Sequence, residues 1–360
     1  MAEEVTKIVA TANSSRKVAY WVFNYEPRWE AASAEIKQLA SAFRERFGAR
    51  IISFDQRRAG IDLRRVDSHL SLPLGMIGLP MLMWATKDIG INHIFASAGE
   101  TRLTPLLAAR DDTILTISKD TPWLDRIEKN AAALRSLRCV VAESERHRDL
   151  LLQLGLPPER VRLIYPGVAC APVRALDGPF TILFATSPLQ KFGLLSRGVH
   201  FILAAAARLP DVHFRLAWRK NSRPIRDLVR EAGVDNVQIL SGFIDDMGAQ
   251  YDAAHATILP ALTETSLKPS PHSGLLSLAH GRPLLISRPT SLSAIVEREN
   301  CGVVFEPTIP GLCDAIRLLQ ARYDDFQENA QPTVKAHFSE ATFIERYATL
   351  YEELLGTGNV

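Results

Sequence analysis

Short runs that are apolar from end to end recur along this chain, and stretches with the spacing of amphipathic helices separate them. VAYWVF (Val18–Phe23), ARIISF (Ala49–Phe54), INHIFA (Ile91–Ala96), TILTI (Thr113–Ile117), CVVA (Cys139–Ala142) and VRLIYPGV (Val161–Val168) make a first series. TILFAT (Thr181–Thr186), VHFRLAW (Val212–Trp218), VQIL (Val237–Leu240), ATILP (Ala256–Pro260), PLLIS (Pro283–Ser287) and GVVF (Gly302–Phe305) make a second. A strand with two apolar faces must be covered on both. The pattern therefore predicts an α/β chain with parallel sheets sandwiched by helices. Helices are predicted over Glu30–Phe47, Pro122–Leu137 and Ser144–Leu154, then over Gly198–Leu209, Ile225–Ala232, Ser273–His280 and Leu292–Arg298. Ser144 is a good N-cap and Gly155 a good helix stop.

The periodicity lapses over Cys170–Gly178, which suits a linker. A chain of 360 residues is long for one domain and ordinary for two. Open α/β sheets bind ligands beyond the carboxyl ends of their strands, so two such units in tandem would carry a central cleft. A final helix over Ser339–Leu355 gathers Phe343, Ile344, Tyr347, Leu350, Tyr351 and Leu354 on one face. Composition narrows the classes. The formal net charge is only +2, which gives no general attraction to nucleic acid. Cys139, Cys170, Cys301 and Cys313 have neither zinc-ligand nor C-x-x-C spacing and read as unpaired thiols of a reducing compartment. There is no basic start leading into an apolar run, and no apolar stretch of the roughly 20 residues a bilayer crossing needs. The expected location is the cytoplasm.

Four segments carry a resemblance. VVAESERHRDLLLQLGLPPERVRLIYPGV (Val140–Val168), FIDDMGAQYDAAHATILPAL (Phe243–Leu262), KPSPHSGLLSLAHGRPLL (Lys268–Leu285) and HFSEATFIERYATLYEELL (His337–Leu355) follow one another in the order and spacing of retaining GT-B glycosyltransferases of family 4. They cover most of residues 140–355, and the first 130 residues match weakly. The resemblance implies a GT-B fold: two Rossmann-like domains with parallel sheets facing a central cleft, and a C-terminal helix crossing back to the N-terminal domain. The implied division is an acceptor domain over 1–170, a donor domain over 171–336 and the returning helix over 337–360.

It also implies a donor site. A nucleoside diphosphate sugar brings two negative charges, and more charge develops as the diphosphate leaves. Amides at a helix start and basic side chains can hold that charge without a metal. The loop Pro269–Ser273 enters the helix predicted from Ser273 and offers the amides of Ser270, His272, Ser273 and Gly274 with the Ser273 hydroxyl. By spacing alone this is a stiff turn with Ser273 as an ordinary N-cap; the resemblance makes it a phosphate cradle. The family's diphosphate-gripping Arg and Lys fall on Ser187 and Arg197, with Lys191 on the intervening loop and Arg219 and Lys220 at another strand end. Arg197 is the leading candidate. The family's two glutamates, eight positions apart, read Lys268 and Leu276 here, and Glu264 is the nearby carboxylate. Leucine accepts no hydrogen bond, so a charge-assisted contact of about 1.5–3 kcal/mol is missing from that pattern.

On the acceptor side, the family's histidine position falls on Ser97 in HIFASAGE, while His93 lies within the strand and reads as a core histidine. Ser97, Glu100 and Asp120 are the candidate catalytic residues; Gly99 and Lys119 lie beside them. Glu100 or Asp120 would help deprotonate a hydroxyl, and each reads equally well as a loop cap or surface pair. Glu30–Ala31 replaces the glycine pair of many relatives. Arg44, Arg46, Arg50, Arg57, Arg58, Arg64 and Arg65 precede LSLPLGMIGLPMLMW (Leu70–Trp84). That run reads first as a buried crossover helix interrupted by Pro80. Its second reading is a monotopic, membrane-peripheral patch facing anionic lipid. The function implied is a metal-independent, cofactor-free retaining glycosyltransferase that moves a sugar from a nucleotide sugar to a hydroxyl of a glycan, lipid or small molecule. Altered donor contacts at Ser187, Lys268 and Leu276 leave an alternative, a non-catalytic GT-B subunit that binds a ligand or a partner transferase.

Overall fold

Strands that are apolar along their length are covered on both faces, as the pattern requires. The computed structural model describes residues 17–23, 25–28, 30–55, 69–73, 89–96, 112–118, 131–186, 193–219 and 221–356. The chain divides into two units, Met1–Tyr165 with Ala341–Val360, and Pro166–Glu340.

In the first unit the described strands are β1 (Val18–Phe23), β2 (Arg50–Asp55), β3 (His69–Pro73), β4 (Ile91–Ala96), β5 (Thr113–Ile117), β6 (Cys139–Ala142) and β7 (Val161–Leu163). All are parallel, in the order β3-β2-β1-β4-β5-β6-β7. Every described position of β4, β5 and β6 is buried. One face packs Trp21, Ile94, Leu115, Val140 and Ala142 with Leu151 of α2 (Glu145–Gln153). The other packs Val18, Tyr20, Ile51, Phe95 and Val141 under Ile36 and Leu39 of α1 (Ala31–Ala42). Helix α1 is shorter than its predicted span: Phe43 closes it, and Gly48 turns at φ +53°. Ser144 caps α2 as expected, its hydroxyl accepting the His147 amide. The start of the apolar run Leu70–Trp84 needs correction: Leu70–Pro73 belong to β3, an edge strand paired with β2, not to a crossover helix. Residues 74–84 lie outside the described residues, and so does the membrane-patch reading that rested on them.

In the second unit β8 (Thr181–Phe184), β9 (His213–Trp218), β10 (Val237–Ser241), β11 (Ala256–Leu259), β12 (Leu284–Ser287) and β13 (Gly302–Phe305) are parallel, in the order β10-β9-β8-β11-β12-β13. Around them lie α3 (Gly193–Ser196), α4 (Val199–Arg208), α5 (Arg223–Ala232), α6 (Met247–Asp252), α7 (His272–Ala279), α8 (Ser293–Arg298), α9 (Ile309–Ala321) and α10 (Tyr323–His337). Residues 170–178, the expected linker, have no regular structure, and the Gln331 side-chain amide donates to the carbonyls of Ala171 and Ala279.

The last helix, α11 (Glu340–Gly356), packs on the first unit. Phe343, Tyr347, Leu350 and Tyr351 enter the same cluster as Tyr20 and Phe95. His93 is fully buried among them, its Nδ1 2.6 Å from the Tyr351 hydroxyl and its Nε2 2.7 Å from Thr116 Oγ1. It is a core histidine, as the sequence indicates. Burial pushes its pKa down to about 3, and burial with the nearby Arg146 charge pushes that of His147 to about 4. A histidine kept neutral in the fold lets the unfolded chain take up the extra proton first. Stability is therefore full above the ordinary value near 6.5 and falls as pH drops toward those lower values. Each residue should contribute a loss of up to about 1.4 kcal/mol per pH unit in that window. Urea unfolding at pH 7.5, 5.5 and 4.5 checks this, and His93→Gln should flatten the slope while lowering stability at pH 7.5.

Candidate functional site

The second unit's strand order reverses between β8 and β11, because successive strands add on one side of β8 and then on the other. In an open parallel sheet this switch point leaves a crevice beyond the carboxyl ends, the usual place for a ligand. The residues after β8 and β11 build its walls.

After β8 the chain passes Thr186 and returns through α3. Arg197 Nη1 donates to the Thr186 carbonyl at 2.8 Å, which ties the guanidinium to the strand exit. The Leu262 amide donates to the Ser196 carbonyl at 2.9 Å. Gly198 sits between these links at φ +69°, and a Cβ there would fall 1.9 Å from the Pro260 carbonyl oxygen. Only glycine allows α4 to begin this close to the end of β11. The Thr186 hydroxyl is buried and makes no hydrogen bond among the described residues.

After β11, the Ser287 hydroxyl donates to the Ala261 carbonyl at 2.6 Å and holds the exit against β12. A 3-10 turn over Glu264–Ser266 follows, with Thr263 Oγ1 2.8 Å from Ser266 Oγ. Glu264 is half-buried, and the Ser291 hydroxyl donates to its Oε1 at 3.4 Å. Lys268 is half-buried and Ser270 buried as the chain enters α7.

The start of α7 differs from the expectation. Pro271, not Ser273, takes the N-cap position, with φ −65° and ψ 122° and no side-chain cap. Proline's fixed φ suits entry into a helix, and the amide it lacks is one the helix would not have used. Ser273 is then a residue of the first turn. Its hydroxyl is buried without a hydrogen bond among the described residues, and its amide belongs to the first-turn group a helix does not satisfy internally. The Gly274 amide is excluded from a cradle, because it donates to the Pro271 carbonyl at 2.9 Å. Gly274 instead lets the helix lie close to Leu259 and Leu292.

Two further candidates are placed. Arg219, half-buried, follows β9, and its charge acts on the Tyr251 hydroxyl, whose pKa burial nonetheless pushes up. Leu276 is half-buried against the cluster of Leu183, Ala217, Tyr251 and Ala254. Ser97, Gly99, Glu100, Lys119, Asp120, Ser187, Lys191 and Lys220 lie outside the described residues. Thr186, Gly198, Ser287 and Ser291 are further candidates that the sequence reading missed; a glycine just ahead of the apolar helix HFILAAAA was the one available signal. Among the described residues no group of three or more His, Cys, Asp or Glu could hold a metal ion, and no helix is long and apolar enough to cross a membrane. All four cysteines are free thiols, buried except Cys170.

Gly198→Ala tests the close approach. The forced left-handed φ and the collision with the Pro260 carbonyl should together cost roughly 2–4 kcal/mol, read by chemical denaturation. Gly155→Ala, also at positive φ but with nothing near its Cβ, should cost clearly less.

No family model matches the sequence, and a search of curated proteins finds no match. Solved structures do match. Sucrose-phosphate synthase from Thermosynechococcus elongatus is 17% identical with a TM-score of 0.76, over 95% of this chain and 100% of that one. A glycosyltransferase from Rickettsia africae is 14% identical with a TM-score of 0.75, over 96% and 100%. HepE from Anabaena, solved in complex with UDP, is 14% identical with a TM-score of 0.74, over 94% and 100%. At such identities the likeness is one of fold, and the fold of this chain is GT-B, the pair of Rossmann-like units found in these glycosyltransferases.

Proposed function

We propose that the protein is a retaining glycosyltransferase that moves a sugar from a nucleoside diphosphate sugar to a hydroxyl acceptor, with the donor held by the second unit and the acceptor by the first. The observation that carries this reading is the reversal of strand order between β8 and β11. There Arg197 is anchored at the exit of one strand and α7 starts behind the other, with the unanswered Ser273 hydroxyl in its first turn. The fold likeness extends over nearly the whole chain and includes a protein solved with UDP.

In this reading Arg197, the Ser273 hydroxyl and the first-turn amides of α7 take the diphosphate, with Lys191, Ser270 and His272 alongside. The helix dipole favours the same charge, and all of these contacts strengthen as the leaving group becomes more negative. Lys268 and Arg219 add positive charge, and Glu264 supplies the carboxylate nearest the sugar. No metal or cofactor is needed for this stabilisation. The resemblance to family 4 supports front-face displacement, in which the departing diphosphate helps deprotonate the acceptor. Ser97, Glu100 and Asp120 are the proposed acceptor-side residues.

A second reading, a non-catalytic subunit, draws on Leu276. A side chain packed against Tyr251 and Ala254 stands where the family pattern has a glutamate, so ribose recognition would need other groups. Calorimetry with UDP and GDP separates the two when paired with a transfer assay across sugar nucleotides. Ordinary affinity with hydrolysis or transfer supports the enzyme; affinity with neither supports the subunit; no binding of any nucleotide removes both donor-site claims. Arg197→Met should weaken nucleotide binding about 10- to 100-fold, the worth of a charge-assisted hydrogen bond, with little change in melting temperature. Leu276→Glu should tighten binding if its position reaches the ribose. If it only lowers the melting temperature, the residue serves packing alone.

A further inference from the structure

Strand β10 is an outer edge of the second unit's sheet among the described residues. Its bonds to β9 decide which backbone groups face outward. The Phe214 amide donates to the Asn236 carbonyl at 2.8 Å, and the Gly242 amide donates to the Trp218 carbonyl at 2.9 Å. Residues of even number thus turn their N–H and C=O toward β9. In a parallel pair the residues between them face the other way, so Val237, Ile239 and Ser241 present theirs at the open edge.

An open edge is a template for another strand, and folds ordinarily blunt it with Lys, Pro or a bulge, or cover it. The opposite edge of this sheet is covered, since α8, α9 and α10 close on β13. β10 packs chiefly on β9. Its sequence, VQILS, holds no charge and no proline, and its register with β9 is unbroken. Gln238 and Ser241 are exposed, and Val237, Ile239 and Leu240 are only half-buried.

We propose that β10 pairs antiparallel with β10 of a second copy of this chain, about a two-fold axis at Ile239. Ile239 then faces the partner's Ile239, and Val237 faces the partner's Ser241. Each facing pair exchanges both of its N–H···O bonds, so every outward backbone group of the strand is answered. Charge favours a second copy in this orientation. Asp235, exposed, leads into the strand at one end. At the other end Arg226 of α5, also exposed, donates to the Ser241 hydroxyl at 2.8 Å. Antiparallel pairing brings the partner's Arg226 toward Asp235, and the two-fold axis repeats the contact. A parallel pairing would set acid beside acid and arginine beside arginine. β9 separates this edge from the β8–β11 switch point, so the pairing is independent of the donor chemistry proposed there.

Sedimentation velocity on the full chain should show a dimer whose share grows with concentration. Hydrogen exchange should slow at the Val237, Ile239 and Ser241 amides as the dimer fills. Asp235→Lys and Arg226→Glu should each weaken the dimer about tenfold or more, because symmetry counts each change twice. The double variant should return to within about threefold of the starting affinity. Ile239→Pro removes an outward amide, which an edge strand tolerates, and should abolish the dimer. The charge variants alter exposed side chains and keep the fold, so they decide the matter should Ile239→Pro fail to fold. A chain that stays monomeric at high micromolar concentration overturns the proposal and leaves the edge to an extended strand of another protein. A dimer that no variant weakens, or that leaves those amides unprotected, overturns it as well.

Discussion

In a parallel sheet covered on both faces, the strand ends are the polar ground left for a ligand, and everything chemical in this molecule follows from that. β4, β5 and β6 in one unit and β8, β11 and β12 in the other are buried at every position. Their side chains are committed to packing. What they deliver is location: Thr186 and Ala261 at two exits on either side of a reversal in strand order. The loops inherit their positions from this frame. Helix starts follow the same rule, since a helix returning from a strand end presents its first-turn amides at that edge.

The frame was largely legible in the sequence because covered parallel strands are apolar without alternation, a pattern few other structures share. VAYWVF, INHIFA, TILTI, CVVA and GVVF coincide with the observed strands. The misses have local causes. β3 hid at the head of a longer apolar run with Pro80 further along, which suggested an interrupted helix. α9 and α10 went unread because Pro310 and Pro332 disguise their period. Pro310 sits in the first turn, where its missing amide is harmless, while Pro332 is tolerated inside a helix whose other turns are packed.

The site was less legible, since its geometry depends on contacts between residues far apart in the chain. Serine's preference for N-caps pointed to Ser273, yet the proline two places earlier already met the backbone requirement, leaving Ser273 in the first turn. Arg197 stands out in the sequence as a basic residue after the TILFAT strand, but its link to the Thr186 carbonyl needs the fold of both segments. Gly198 is a further case. Nothing in a single sequence says that a carbonyl from Pro260 occupies the space where a side chain would stand.

The chain leaves its first unit at Tyr165 and re-enters it at Ala341. The second unit is thus an insertion, framed by a β-bridge between Val168 and Ser339. Biosynthesis feels this order. While the ribosome is still making residues 166–340, the first unit waits with Tyr20, His93 and Thr116 lacking their final neighbours, because Tyr347 and Tyr351 have yet to be translated. The second unit can mature first, and the earlier half of the chain is sealed only once α11 has emerged.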